Sequence, residues 1–89
     1  MDEDRLPVAA LRNLGPKSAR LLAEAGIRTI AELRLIGPPK AYVRARTLAR
    51  KSVSLNLLWA IAAGLGDRDW RELTQKEKGS LLAQVRGLR

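Results

Sequence analysis

Residues 11–33, LRNLGPKSARLLAEAGIRTIAEL, decide the fold. Within them, Asn13-Leu14-Gly15-Pro16-Lys17-Ser18-Ala19 has the form of a tight hairpin running straight into a helix. Asn13 and Gly15 are the residue types that tolerate positive φ most cheaply. Leu14 between them can point inward as an anchor. Pro16 suits the first helical position, where a missing N–H costs nothing. The pattern predicts a helix N-terminus with free amides, followed at once by Lys17 and Arg20. Such an end attracts anions, phosphate above all. Two readings follow. One is a helix-hairpin-helix that holds a nucleic-acid backbone without reading sequence. The other is an ordinary αα-hairpin whose Gly and Pro only shape a turn.

Working outward, the rest of the chain reads as helices without a convincing strand, because alternation of apolar and polar residues never persists. A short first helix is expected over residues 7–12, started by Pro7. The second spans 16–25, with Ala19, Leu22 and Ala23 inward and Gly26 ending it, so that Ile27 folds back onto the core. The third starts with a capping box, Thr29 and Glu32, and stops at Gly37 before Pro38-Pro39. The fourth starts at one of those prolines, with Ala41, Tyr42, Ala45, Leu48 and Ala49 on one stripe. Ser52-Val53-Ser54 breaks it.

The fifth helix, residues 55–65, is apolar almost all round and is expected at the centre, with Trp59 in it. Gly64 and Gly66 end it. Ala63-Gly64-Leu65-Gly66 has a hairpin-like Gly-Leu-Gly, but Asp67 and Asp69 follow where a phosphate site needs Lys, so it reads as a helix end. Residues 67–73 form a polar loop in which Trp70 closes over the core edge. Thr74 and Glu77 make a second capping box, and the last helix runs to about residue 86 with Leu81, Leu82, Val85 and Leu88 inward. The expectation is an all-α fold: a compact five- to six-helix domain over residues 1–89 containing a helix-hairpin-helix, with residues 1–6 as a flexible acidic tail.

The chain has 89 residues, 46% of them hydrophobic, yet it contains no Phe and only Tyr42, Trp59 and Trp70 as aromatics. The core is therefore aliphatic. Cysteine and histidine are absent, which removes disulfides, thiolate and imidazole chemistry and nearly all zinc and haem sites. The acidic N-terminus lacks the apolar region of a signal peptide. The apolar run over 57–63 is too short to span a bilayer. A cytoplasmic protein with no membrane association is expected.

The net charge of +8 is unevenly spread. Residues 1–4 carry −3, residues 5–51 carry +9, and residues 52–89 carry +2. No acid occurs between Glu32 and Asp67. A positive half that also holds the hairpin draws polyanions. A generally basic, arginine-rich protein would show the same total.

Nothing points to an enzyme or a cofactor. Serines and threonines have no histidine to activate them. Asp67, Asp69 and Glu72 alternate with Arg68 and Arg71, the pattern of a solvated, salt-bridged loop rather than of a metal or acid–base site. Gly15-Pro16-Lys17-Ser18 lacks the first glycine and the preceding strand of a nucleotide-binding loop. Three aromatics are few, which argues against a single-strand binder built on base stacking.

The hairpin segment, Gly37 followed by Ala41-Tyr42, the run Ser54-Leu55-Asn56-Leu57-Leu58-Trp59-Ala60, and Trp70-Arg71-Glu72-Leu73 together resemble the C-terminal domain of the TfoX/Sxy family. The resemblance covers residues 8–86. It implies a helical domain of bacterial, cytoplasmic regulators of DNA-uptake competence, thought to assist the cyclic-AMP receptor protein at promoters. The family's N-terminal domain is not in this sequence, so a standalone or excised domain is expected. The resemblance carries over no catalytic residue. Residues 25–33 are also similar to the helix-hairpin-helix of the C-terminal domain of the bacterial RNA polymerase α subunit, which binds both DNA and activators.

Two functions follow. In the first, the domain binds double-stranded DNA through phosphates, using Asn13, Leu14, Gly15, Lys17, Ser18 and Arg20, with Lys40 and Arg44 from the fourth helix. In the second, it is an adaptor that docks onto a transcription regulator or RNA polymerase through an apolar surface near Tyr42 or Trp70.

Overall fold

The computed structural model describes residues 5–51 and 53–88. The fold is all-α. Five α-helices form among the described residues: α1 (Pro16–Glu24), α2 (Ile30–Ile36), α3 (Pro38–Leu48), α4 (Leu55–Leu65) and α5 (Gln75–Gly87). Short 3-10 turns lie at Val8–Ala10 and Trp70–Glu72.

Local chemistry sets most helix ends. Gly26 has φ +87° and closes α1 with paired bonds, Gly26 N–H to the Ala23 carbonyl at 3.0 Å and Ile27 N–H to the Leu22 carbonyl at 2.8 Å. This returning turn drives Ile27 into the core, where it is fully buried. α2 opens with the expected capping box: Thr29 Oγ1 accepts from the Glu32 amide at 3.2 Å, and Glu32 Oε1 accepts from the Thr29 amide at 3.1 Å. Gly37 ends α2 and starts α3 at φ 87°, ψ 153°, a region open essentially to glycine alone. The two helices therefore join with no linker.

The segment 7–12 does not form the expected helix. The chain here is tied instead to the α1–α2 connection: Val8 N–H donates to the Arg28 carbonyl, and Ile30 N–H donates to the carbonyl of Leu6 just before the segment, each at 3.0 Å. Pro7 and Thr29 form an isolated antiparallel bridge there. A three-residue 3-10 turn is what remains. Of the expected acidic tail, residues 1–4 lie outside the described residues, as does Ser52 of the expected break before α4.

α4 gives the core more buried residues than any other helix, and its Leu58 and Ile61 are fully enclosed, as are Leu22, Ile27, Ile30 and Leu33. Trp59 is buried at 8% exposure but sits toward the edge, with Lys78 Nζ 5.5 Å from its ring centroid. Gly64 does not end α4. It lies inside the helix, where an added Cβ would come within 2.4 Å of the Arg12 carbonyl oxygen and about 3 Å of the Leu11 side chain. The hairpin packs directly on the α4 backbone at this point.

The stripe on α3 holds for Ala41, Tyr42 and Ala45, which are buried. It fails at Leu48, which is 55% exposed. The helix ends at Leu48, and the backbone leaves it at Ala49 (φ −145°, ψ 64°). On α5, Val85 is buried and Leu81 and Leu82 pack against the core, whereas Leu88 lies beyond the helix and is exposed.

The loop after α4 is built as a clasp. Asp67 takes the left-handed position, φ 54°, of a returning turn in which Arg68 N–H bonds the Ala63 carbonyl at 2.8 Å and Asp67 N–H bonds the Gly64 carbonyl at 2.9 Å. The Arg68 guanidinium then donates to both Glu77 carboxylate oxygens, at 2.7 and 3.0 Å, and to the Glu72 carbonyl at 2.7 Å. Glu77 simultaneously completes the α5 capping box with Thr74. Asp69 and Glu72 form a further box around the Trp70–Glu72 turn.

Three outcomes test this packing. An Ala at an exposed helical Gly position usually stabilises by up to about 1 kcal/mol. Gly64→Ala should reverse that sign and cost about 1–3 kcal/mol, because backbone rather than a flexible side-chain tip lies in the way. Chemical denaturation reads it. Trp59→Ala should cost about 3–5 kcal/mol, and an unchanged thermal midpoint would remove Trp59 from the core.

The third outcome concerns acid. The Arg71 side chain, and then its amide, hold Asp69 down from 3.8 to about 2. The Arg68 side chain, and then the Thr74 amide, hold Glu77 down from 4.5 to about 2. Depressed folded-state values mean that the contribution is complete above the unfolded values and is lost as pH falls from about 4.5 towards 2. The melting temperature should drop across that window, and Glu77→Gln should make the drop shallower.

Candidate nucleic-acid interface

The helix starts divide into two kinds. α2 and α5 carry capping boxes, and Ser54 caps α4 by accepting from the Asn56 amide. α1 and α3 begin at glycines, Gly15 and Gly37, with no side-chain cap and no acid in the first turn. Gly15 is followed by one proline and Gly37 by two, and a lysine comes next in each case, Lys17 in α1 and Lys40 in α3. The first α1 main-chain bond is from Ala19 N–H to the Gly15 carbonyl, 3.0 Å. The Lys17 and Ser18 amides have no acceptor among the described residues. Open amides and a cation at a positive helix end make a local anion trap.

The turn in front of α1 departs from the expected helix-hairpin-helix in two respects: a three-residue 3-10 turn and not a helix precedes it, and only one of its residues is left-handed. Asn13 takes positive φ, 76°, but Gly15 is extended (φ −90°, ψ 175°), so the chain needs one left-handed residue and not two. The Asn13 side chain donates through Nδ2 to the Arg68 carbonyl at 2.7 Å, and the Arg12 guanidinium donates to the Asp67 carbonyl at 3.0 Å. Leu14 is buried as the anchor. Asn13 and Leu14 thus hold the hairpin in place, and Gly15, Lys17 and Ser18 present it to solvent.

These residues also wall a groove of about 320 Å³. Asn13, Lys17, Ser18 and Leu21 line one side. Ser54, Asn56, Leu57 and Ala60 from the start of α4 line the other, with Trp70 across it. Trp70 is 39% exposed, so it only half closes the core edge. Sequence reasoning missed this groove. The visible signal was Asp69-Trp70-Arg71-Glu72, whose Asp-x-x-Glu spacing is that of a capping box and fixes where Trp70 stands.

Arg20 is exposed one turn along α1 from Lys17. Lys40 and Arg44 do not line the groove. Lys40 lies beside Gln84 and Leu88 at the end of α5, and Arg44 lies beside Glu24 and Ala25 at the end of α1. Neither makes an ion pair among the described residues, nor do Arg50 and Lys51. Arg46 stacks over the Tyr42 ring, 5.3 Å from its centroid. The eight expected residues thus fall into a hairpin group and an α3 group. Tyr42 is buried and offers no docking surface, which leaves Trp70 as the apolar element of the second function.

The acids of the loop are engaged with arginines. Asp69 pairs with Arg71 at 3.0 Å, and Asp67 lies 3.9 Å from Arg12. No cluster of acidic side chains among the described residues could hold a metal ion. No helix among them is long and apolar enough to cross a membrane.

The fold has a solved counterpart. A crystal structure of an uncharacterized protein from Listeria monocytogenes, in a triclinic form, superposes with a TM-score of 0.80 at 27% sequence identity, covering 92% of each chain. No curated protein matches the sequence. The family model of the TfoX C-terminal domain matches residues 4–85, almost the full length. The chain belongs to the TfoX C-terminal domain family.

Proposed function

We propose that this protein is a non-enzymatic regulatory domain that binds the phosphate backbone of double-stranded DNA without reading its sequence. The observation that carries the reading is the open start of α1. Among the described residues, the Lys17 and Ser18 amides lack acceptors and no side chain caps the helix, and an exposed lysine occupies the first turn. A cation there faces the positive end of the helix dipole and costs about 0.3–1 kcal/mol in the free domain. A bound phosphate turns that cost into an attraction. Arg20 extends the same face. The second open start, at Lys40, and Arg44 on α3, which has no ion pair among the described residues, add a further basic surface for the same polyanion.

A second reading rests on Trp70. A half-exposed indole beside Leu21 and Leu57 suits an adaptor that docks onto a transcription regulator or RNA polymerase without touching DNA. A competence role in the bacterial cytoplasm is compatible with either reading.

A salt titration with a random-sequence duplex separates the two. Binding should be weak, with Kd on the order of 10⁻⁴–10⁻⁶ M at physiological salt. With about three phosphate contacts, log affinity should fall against log salt with a slope near −3. Flat salt dependence, or no binding at low salt, would leave the adaptor reading standing.

Lys17→Glu should stabilise the free domain by a few tenths of a kcal/mol and weaken every duplex tested. Arg86→Glu makes the same charge change at the far end of α5 and should weaken DNA much less. Equal losses would reduce binding to diffuse attraction and the hairpin to a turn.

A further inference from the structure

The groove holds more than a phosphate needs. Among the described residues, Lys17 is its one charged wall residue and no carboxylate lines it. Trp70 supplies an exposed ring, and Ser18, Ser54 and Asn56 supply uncharged donors and acceptors. The Asn56 side-chain amide has no partner among the described residues. The volume, about 320 Å³, lies at the small end of the roughly 300–1,000 Å³ typical of small-ligand pockets. Lys17 and Ser18 belong both to this groove and to the open end of α1, so a strand held there by its phosphate passes the groove mouth.

We propose that the groove between the hairpin, the start of α4 and Trp70 accepts one unpaired nucleobase of a DNA strand whose phosphate lies at Lys17. The inference rests on the DNA-binding reading above and goes beyond it. Stacking on an aromatic ring is tolerant of base identity, and hydroxyl and amide groups can meet the polar edge of any base. Tyr42 and Trp59 are buried, so the surface offers one platform and not a track. A base inside an intact duplex is stacked and paired, and extracting it costs free energy that an overhang or fork does not require. The protein should therefore prefer a junction between duplex and single strand over a blunt duplex.

The test compares a blunt duplex with the same duplex carrying a three-nucleotide overhang, by anisotropy and by tryptophan fluorescence. The expected result is overhang binding tighter by roughly tenfold, within the range that one stacked base supplies. Trp70 emission should be quenched, while buried Trp59 stays as the internal reference. Trp70→Ala should remove the overhang preference and leave blunt-duplex affinity in place, and Trp70→Phe should restore most of it.

Equal affinity of the unaltered protein for both duplexes overturns the groove inference and leaves the phosphate reading intact. So does an equal loss for both duplexes in Trp70→Ala. Quenching of Trp70 by a peptide of alternating Asp and Leu, with none from the overhang, makes the groove a peptide site. No binding to any DNA defeats the underlying reading together with the inference.

Discussion

The close approach of the hairpin to the backbone of α4 is the constraint on which the rest depends. Gly64 removes the one Cβ that would keep Leu11 and Arg12 away. Once the hairpin is seated there, Leu14 reaches the core, and Arg12 and Asn13 can donate to the carbonyls of Asp67 and Arg68. Those bonds place the loop after α4, and the loop places Trp70. The groove and the open end of α1 both follow from one helix presenting bare backbone to another segment. A tight contact of this kind converts small volume differences directly into stability, because protein interiors have little free space in which to relax.

Much of the fold was legible because helix ends are written in nearby residues. Thr29 with Glu32, Thr74 with Glu77, and Gly26 with Ile27 each satisfy amides or carbonyls within a few positions. α4 was bounded correctly at residues 55–65 for the same reason: Ser54 opens it and Gly66 caps it. Features set by distant partners were not legible. Residues 7–12 read as a helix because nothing local says that the Val8 amide will pair with the Arg28 carbonyl and the neighbouring Leu6 carbonyl with the Ile30 amide. Gly64 read as a terminator because a helix-interior glycine and a helix-ending one look alike until the neighbour is known.

The candidate site divides along the same line. The hairpin and its lysine could be read from seven consecutive residues. The structural use of Asn13 could not, since its partner is the carbonyl of Arg68. Trp70 joins the wall only because the clasp around Asp69, Arg71 and Glu72 holds it there. The α3 cations were visible as a basic run, but their separation from the hairpin is a property of how α1 crosses α3, which no local pattern encodes. Asp69 pairs with Arg71 and Glu77 with Arg68, while most cations of the first half of the chain face solvent.

Arg68 links two distant parts of the chain in a way that bears on motion. Its carbonyl receives Asn13 and its guanidinium grips Glu77 in the first turn of α5. Breaking either end exposes the other, so the hairpin and the start of α5 open as one cooperative unit and not as independent frays. Local opening reactions of this type are what amide exchange detects. Any ligand that holds the hairpin closed will therefore slow exchange at the beginning of α5, a helix that it need never touch.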